Sequence, residues 1–157
     1  MKTLDQWLDE YGASHRNATN KLLHWICVPL IAWSLAAALK TIPWTYGDLN
    51  AASVVGMLTL AYYFRLSWRL ALGMTVIFAS AYRTIVDLHA ALGIGLLWLA
   101  IAVFVAAWIG QFIGHHVEKQ RPSFFKDLQF LLIGPLWLLD AVYRRLEWPT
   151  GRRAQAH

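Results

Sequence analysis

Long stretches of almost uninterrupted apolar residues constrain this chain more than any other feature. The longest runs from Leu92 to Ile113, and another runs from Leu22 to Leu39, broken only by His24, Pro29 and Ser34. About 20 apolar residues in a helix cross a bilayer core of about 30 Å. Both stretches therefore predict transmembrane helices.

Two shorter apolar stretches lie between them. One runs from Leu49 to Phe64, and the other runs from Leu70 to Tyr82 and extends further if Arg83 snorkels to the interface. Taken together, the four stretches place about four transmembrane helices in residues 22–113. The predicted fold class is an all-α integral membrane helical bundle.

The amino-acid composition favours the same class. Of the 157 residues, 58% are hydrophobic and 15% are charged, whereas soluble domains are about half apolar and a quarter charged. That length suits a single domain, residues 1–157. One cysteine, Cys27, excludes an internal disulfide and a cysteine-rich metal site. The formal charge of +5 is spread over segment ends without clustered stacking aromatics, which argues against nucleic acid as a partner.

The two ends of the chain have patterns of their own. Residues 1–14 have apolar side chains at the spacing of an amphipathic helix, and they lack the apolar core of a signal peptide. Residues 123–146 are apolar but contain Gly134-Pro135, which is expected to break or kink a helix. We interpret them as an interfacial or re-entrant helical hairpin, followed by a polar tail at residues 147–157.

The basic residues predict an orientation. With four spans, only two of the basic residues, Lys40 and Arg83, lie on one side of the membrane, and the other twelve lie on the opposite side. The twelve are Lys2, Arg16, Lys21, Arg65, Arg69, Lys119, Arg121, Lys126, Arg144, Arg145, Arg152 and Arg153. By the positive-inside rule, both termini are expected to be cytoplasmic, which suits a bacterial inner membrane.

A polar cluster stands at the end of the last apolar run. On a helix, Gln111, His115 and Glu118 share one face, and His116 points elsewhere. The four-span topology brings His15 and His24 to the same cytoplasmic end. Several imidazoles with a carboxylate are a suitable ligand set for Fe, Zn or Mn. Taken singly, each of His15 and His24 can also be read as an ordinary interfacial or loop histidine.

Two segments together resemble a known family. They are residues 11–29, YGASHRNATNKLLHWICVP, and residues 108–115, WIGQFIGH, followed by Glu118 and Pro122. The segment DLQFLLIGP at 127–135 is similar to bacterial members as well. The chain resembles the Mpo-type 2-hydroxy fatty acid dioxygenase family from the first helix to Tyr143. In yeast-type members, one more residue separates the histidine and glutamate that match His115 and Glu118.

The resemblance implies an Fe(II)-dependent enzyme of fatty acid α-oxidation. Such an enzyme uses O₂ to cleave the C1–C2 bond of a 2-hydroxy fatty acid and releases an acid one carbon shorter. It implies His15, His24 and His115 as iron ligands, and Glu118 as a fourth ligand or as an acceptor that orients one of them. The supporting residues would be Asn20, Gln111 and His116, and the substrate carboxylate would meet Arg16, Lys119 or Arg121.

The sequence leaves other functions open. Two histidines on facing helices can ligate haem in a membrane electron-transfer protein. A zinc hydrolase would use the same nitrogen and oxygen ligands. In a non-catalytic membrane scaffold, the polar cluster would be purely structural.

Overall fold

A computed structural model describes residues 2–119 and 129–151. Arg121, residues 123–128 of the expected hairpin and residues 152–157 of the tail lie outside the described residues. The described part contains helices α1 Leu4–Ala13, α2 Ala18–Lys40, α3 Ala51–Leu66, α4 Trp68–Leu92, α5 Gly95–Glu118 and α6 Phe130–Arg145. A short antiparallel pair, β1 Thr45–Tyr46 and β2 Leu49–Asn50, connects α2 to α3. The all-α prediction is confirmed.

Helix α1 is amphipathic, as its sequence predicts. Thr3 and Gln6 form a capping box at its start, which satisfies backbone N–H groups that a helix leaves unpaired. Its apolar face is buried against α6, where the ring of Trp7 meets that of Phe130 edge-on at 5.1 Å. This docking fixes the position of the residues that follow α1.

Three of the described helices, α2, α4 and α5, are long and apolar enough to cross a membrane. Helix α3 is apolar but has only 16 residues, so a count of four spans is not established. The stretch expected to be shortest forms the 25-residue helix α4 instead. Arg83 does not end α4, which continues to Leu92, and its side chain pairs with Asp87 one turn later at 2.9 Å.

Helices α2 and α5 pack closely along their length. Two glycines one turn apart on α5 permit the approach. A Cβ at Gly110 would lie 2.6 Å from Cys27 Sγ, and one at Gly114 would lie 2.5 Å from Asn20 Oδ1. Small residues at this spacing let membrane helices come together, and here they bring His115 of α5 beside the start of α2.

Helix α6 runs through Gly134-Pro135 as one helix, so the expected break does not occur there, and the hairpin expected at residues 123–146 is not confirmed. Gly134 has a packing role: a Cβ there would lie 3.0 Å from the hydroxyl of Tyr11. Ile133 and Leu136 are fully buried in the core that α6 shares with α1, α2, α3 and α4. The apolar character of α6 therefore serves internal packing.

Candidate metal centre

Three buried histidines meet at one end of the bundle. His15 follows α1, His24 lies in the second turn of α2, and His115 lies in the last turn of α5. Their ring centroids are 4.2 Å apart for His15 and His24, 5.1 Å for His15 and His115, and 5.0 Å for His24 and His115. One ligand nitrogen from each lies within 4.8 Å of the others.

Backbone carbonyls orient two of the rings. His15 Nδ1 bonds to the carbonyl of Tyr11, and His24 Nδ1 bonds to the carbonyl of Asn20 at 2.9 Å. A carbonyl oxygen only accepts, so each Nδ1 must carry a proton and each neutral ring has its lone pair on Nε2. Those two Nε2 atoms face each other at 2.9 Å. Two facing lone pairs repel each other unless a cation lies beside both.

The cluster fits a metal ion by two further observations. Two imidazole nitrogens, each about 2.1 Å from one ion and at right angles, lie about 3 Å apart, which is close to the separation seen for His15 and His24. Nδ1 of His115 is buried and has no hydrogen-bond partner within the described residues. Buried polar atoms are rarely left without a partner. A metal ion bound among the three histidines would supply a partner for this nitrogen.

The protonation of His15 suits a metal ligand. Burial lowers the pKa of His15 below its ordinary value, and the charge of Lys21 lowers it further. The Tyr11 carbonyl and the Glu118 carboxylate oppose that shift. A histidine with a lowered pKa is neutral near pH 7, and only the neutral ring can bind a metal.

Glu118 lies one helical turn past His115, but its carboxylate is directed to the turn between α1 and α2. Its two oxygens accept hydrogen bonds from the backbone N–H of Arg16 at 2.9 Å and of Asn17 at 2.8 Å. A third donor is the side-chain amide of Asn20, at 3.1 Å. The structure therefore brings Glu118 to the backbone beside His15, and the three-histidine group does not include it.

The other residues singled out in the sequence divide into two groups. Asn20 and Gln111 are buried beside the histidines. His116, Arg16 and Lys119 are exposed at the same end of the bundle, whereas the neighbouring His115 is buried. Arg121 lies outside the described residues.

Sequence reasoning placed Tyr11 only on the buried face of α1. Its ring stacks on His15, with centroids 4.3 Å apart and planes 14° apart, and its carbonyl holds the Nδ1 proton of the same histidine. The spacing of four residues between Tyr11 and His15 was the available signal, because it allows a side chain to reach the carbonyl one turn earlier. The ring of Trp137 of α6 lies 5.6 Å from that of His15 and 5.5 Å from that of Tyr11, so the three rings pack together.

A large apolar cleft leads away from the histidines. Its volume is about 1050 Å³, and its lining includes His15, His24 and His115 at one end. The rest of the lining comes mostly from apolar side chains of α2, α3, α4 and α6. Most ligand pockets have volumes of about 300–1,000 Å³, so the cleft is at the large end of that range.

Fold and site define a class of protein: a helical bundle with three helices of membrane-spanning length and a buried three-histidine cluster at the end of an apolar cleft. The family described as "2-hydroxy-palmitic acid dioxygenase Mpo1-like" matches residues 1–146, and the chain belongs to this Mpo1-like family. The 2-hydroxy-palmitic acid dioxygenase MPO1 of Saccharomyces cerevisiae is 28% identical over 131 residues, 82% of this chain and 73% of that protein. No solved structure matches significantly.

Proposed function

We propose that the protein is an Fe(II)-dependent dioxygenase that cleaves the C1–C2 bond of 2-hydroxy fatty acids with O₂. The product is a fatty acid one carbon shorter. The atoms balance when the carboxyl carbon leaves as CO₂ and one water forms, so no further reductant is required. The observation that carries the proposal is the convergence of three buried histidines at the end of an apolar cleft, in a chain of this family.

His15, His24 and His115 would hold the iron through three nitrogens. When bound, Fe(II) supplies the redox chemistry that activates O₂ and a site for the hydroxyl and carboxylate of the substrate. The protein supplies orientation. The carbonyls of Tyr11 and Asn20 keep two Nε2 atoms turned inward, and burial keeps His15 neutral.

Glu118 supports the site by holding a neighbouring backbone turn in place. We assign it to holding the α1–α2 turn that carries His15, because within the described residues its carboxylate accepts hydrogen bonds from that turn and from Asn20. Gln111 lines the cleft one turn before His115, where its amide can donate to a substrate oxygen. Arg16 and Lys119 are exposed cations at the same end and can attract the incoming carboxylate.

A haem-binding function fits this arrangement less well. Two axial ligands of one haem lie on opposite faces of the ring, with the iron between them. Here the Nε2 atoms of His15 and His24 are only 2.9 Å apart, and His115 completes one compact group with them. That arrangement suits a single small ion.

We propose that the protein lies in a bacterial inner membrane, with α2–α5 as spans and with the termini and the histidine cluster on the cytoplasmic side. Large apolar side chains on the outer surfaces of these helices support this location. Leu58, Val76 and Trp98 are each about two-thirds exposed, and lipid would cover them. The twelve-to-two distribution of lysine and arginine supports the orientation.

The function is tested with protein purified anaerobically in detergent. We expect about one iron per chain, no Soret band, and conversion of a 2-hydroxy fatty acid to the acid one carbon shorter. His115→Ala is expected to lose both iron and turnover, and His116→Ala, at the exposed neighbouring position, is expected to keep both. A fully active, iron-replete His115→Ala protein would overturn the assignment.

A further inference from the structure

The cleft beside the histidine cluster extends along most of α2. On α2, its lining begins at His24 and continues to Leu39, a separation of fifteen residues, or about 22 Å at about 1.5 Å per residue. The acyl chains of one bilayer leaflet fill about half of a 30 Å core. The cleft can therefore contain an extended long acyl chain along its whole length.

The far end of the cleft is identified by connectivity and by a polar contact. Helix α3 begins just after the hairpin that follows α2, so Ala52 lies near the Leu39 end. There the buried amide of Asn50 donates to the hydroxyl of Tyr82 at 2.6 Å, and Tyr82 lines the cleft. If the polar head of a ligand lies at the histidines, its hydrocarbon chain would end near Asn50 and Tyr82.

The side of the cleft opens toward lipid. Several residues that line it are also 41–50% exposed on the outer surface of α2, α3 and α4. These residues are Leu30, Leu35, Val55, Met57 and Ile77. An amphiphile already in the membrane can slide its tail between these side chains without crossing water.

Resting on the function proposed above, we propose that this cleft holds the hydrocarbon chain of the substrate, which enters sideways from the bilayer, and that Gly56 sets the longest chain accepted. Gly56 lines the cleft, and a Cβ placed on it would meet no atom within 4 Å. It lies four residues, about 6 Å, from Ala52 along α3. A side chain added at Gly56 would occupy the far third of the cleft.

The physical reason for a steric limit is that lipid tails are as apolar as the side chains of the cleft. Moving an acyl chain from the bilayer into the cleft gains little from the hydrophobic effect, so attraction cannot select a chain length. Exclusion can. Gly56 leaves open space on the wall, so a larger side chain at this position would exclude part of a long acyl chain.

The test uses the full chain in phospholipid nanodiscs and 2-hydroxypalmitic acid carrying a diazirine at its methyl end. After photolysis, we expect cross-links at the far end of the cleft, around Ala52 and Tyr82, that unlabelled 2-hydroxypalmitic acid suppresses. Gly56→Phe should remove most of this labelling. Ala61→Phe, an exposed position of α3 outside the cleft lining, should leave it unchanged.

Turnover provides the second measurement. Gly56→Phe is expected to lower kcat/KM for 2-hydroxypalmitic acid by about tenfold or more while sparing 2-hydroxyoctanoic acid, and Gly56→Ala should have a smaller effect. Labelling that no acid suppresses, or that Gly56→Phe does not change, would overturn the inference. Suppressible, Gly56-dependent labelling without any turnover would support the cleft assignment and count against the proposed function, since binding does not require the reaction.

Discussion

The carboxylate of Glu118 accepts a hydrogen bond of 2.8 Å from the backbone N–H of Asn17, although the two residues are 101 positions apart in the chain. This contact joins the end of α5 to the cap residue of α2. His115 lies one turn before Glu118, and His15 lies two residues before Asn17. The contact therefore fixes the distance between two of the three histidines.

Replacing Glu118 by Gln should weaken the site through its geometry. The substitution removes a charge and places an NH₂ group against N–H donors of the turn. Charge-assisted hydrogen bonds contribute about 1.5–3 kcal/mol, and partial exposure reduces this to about 1–2 kcal/mol here. We expect a lower Tm and weaker iron retention in a dialysis series. Glu147→Gln, which removes the same charge at an exposed position, is the control, and equal effects of both changes would contradict the role.

Removing the metal should destabilise the wild-type protein. An ion that binds only the folded state stabilises it by about 2.7 kcal/mol when present at a hundred times its Kd. Without it, the lone pairs of His15 and His24 face each other at 2.9 Å. We expect a chelator to lower the Tm of the wild type and to have little effect on His24→Ala. A chelator that lowers the Tm of both proteins equally would show that the loss of stability does not come from this site.

Gly114→Ala should separate α2 from α5. The new Cβ would lie 2.5 Å from Asn20 Oδ1 and 3.3 Å from Leu23 Cδ1. Overpacking of this kind costs about 1–3 kcal/mol, and movement of α2 would shift His24 away from His115. Thermal unfolding and iron content should both fall. Gly95→Ala on the same helix, where the nearest atom is 3.6 Å away, should change neither measurably, and a harmless Gly114→Ala would contradict the close approach.

Acidification should destabilise the metal-free protein through His15. Burial lowers its pKa in the folded state, whereas the unfolded chain has a value of about 6.5. The unfolded state then binds more protons, so this contribution to stability is present above about pH 6.5 and is lost as the pH falls below it. Denaturant unfolding of chelated protein between pH 8 and pH 5 measures the loss. His15→Gln should lose less stability than the wild type over this pH range. Equal losses in the two proteins would rule out His15 as the origin.

The sequence by itself determined the apolar stretches that form α2 to α5, the amphipathic α1 and the three histidines of the candidate site. Apolar runs and their spacing predicted the long helices and the amphipathic α1, because lipid requires an uninterrupted apolar surface and packing against a core requires an apolar face of fixed period. The motifs carrying His15, His24 and His115 indicated the family that the comparison confirms. Local spacing also identified Gln111 and Glu118 as neighbours on one face of α5.

Only the tertiary structure decided how these parts meet. The carboxylate of Glu118 turns to the α1–α2 backbone, and the ring of Tyr11 stacks on His15. Helix α6 continues through Pro135, and its residues fill a core formed by five helices. The cleft that Gly56 lines is formed by side chains of several helices that are separate in the chain. Such features depend on contacts between residues far apart in the chain, and a local pattern of side chains contains no information about which distant surface will cover it.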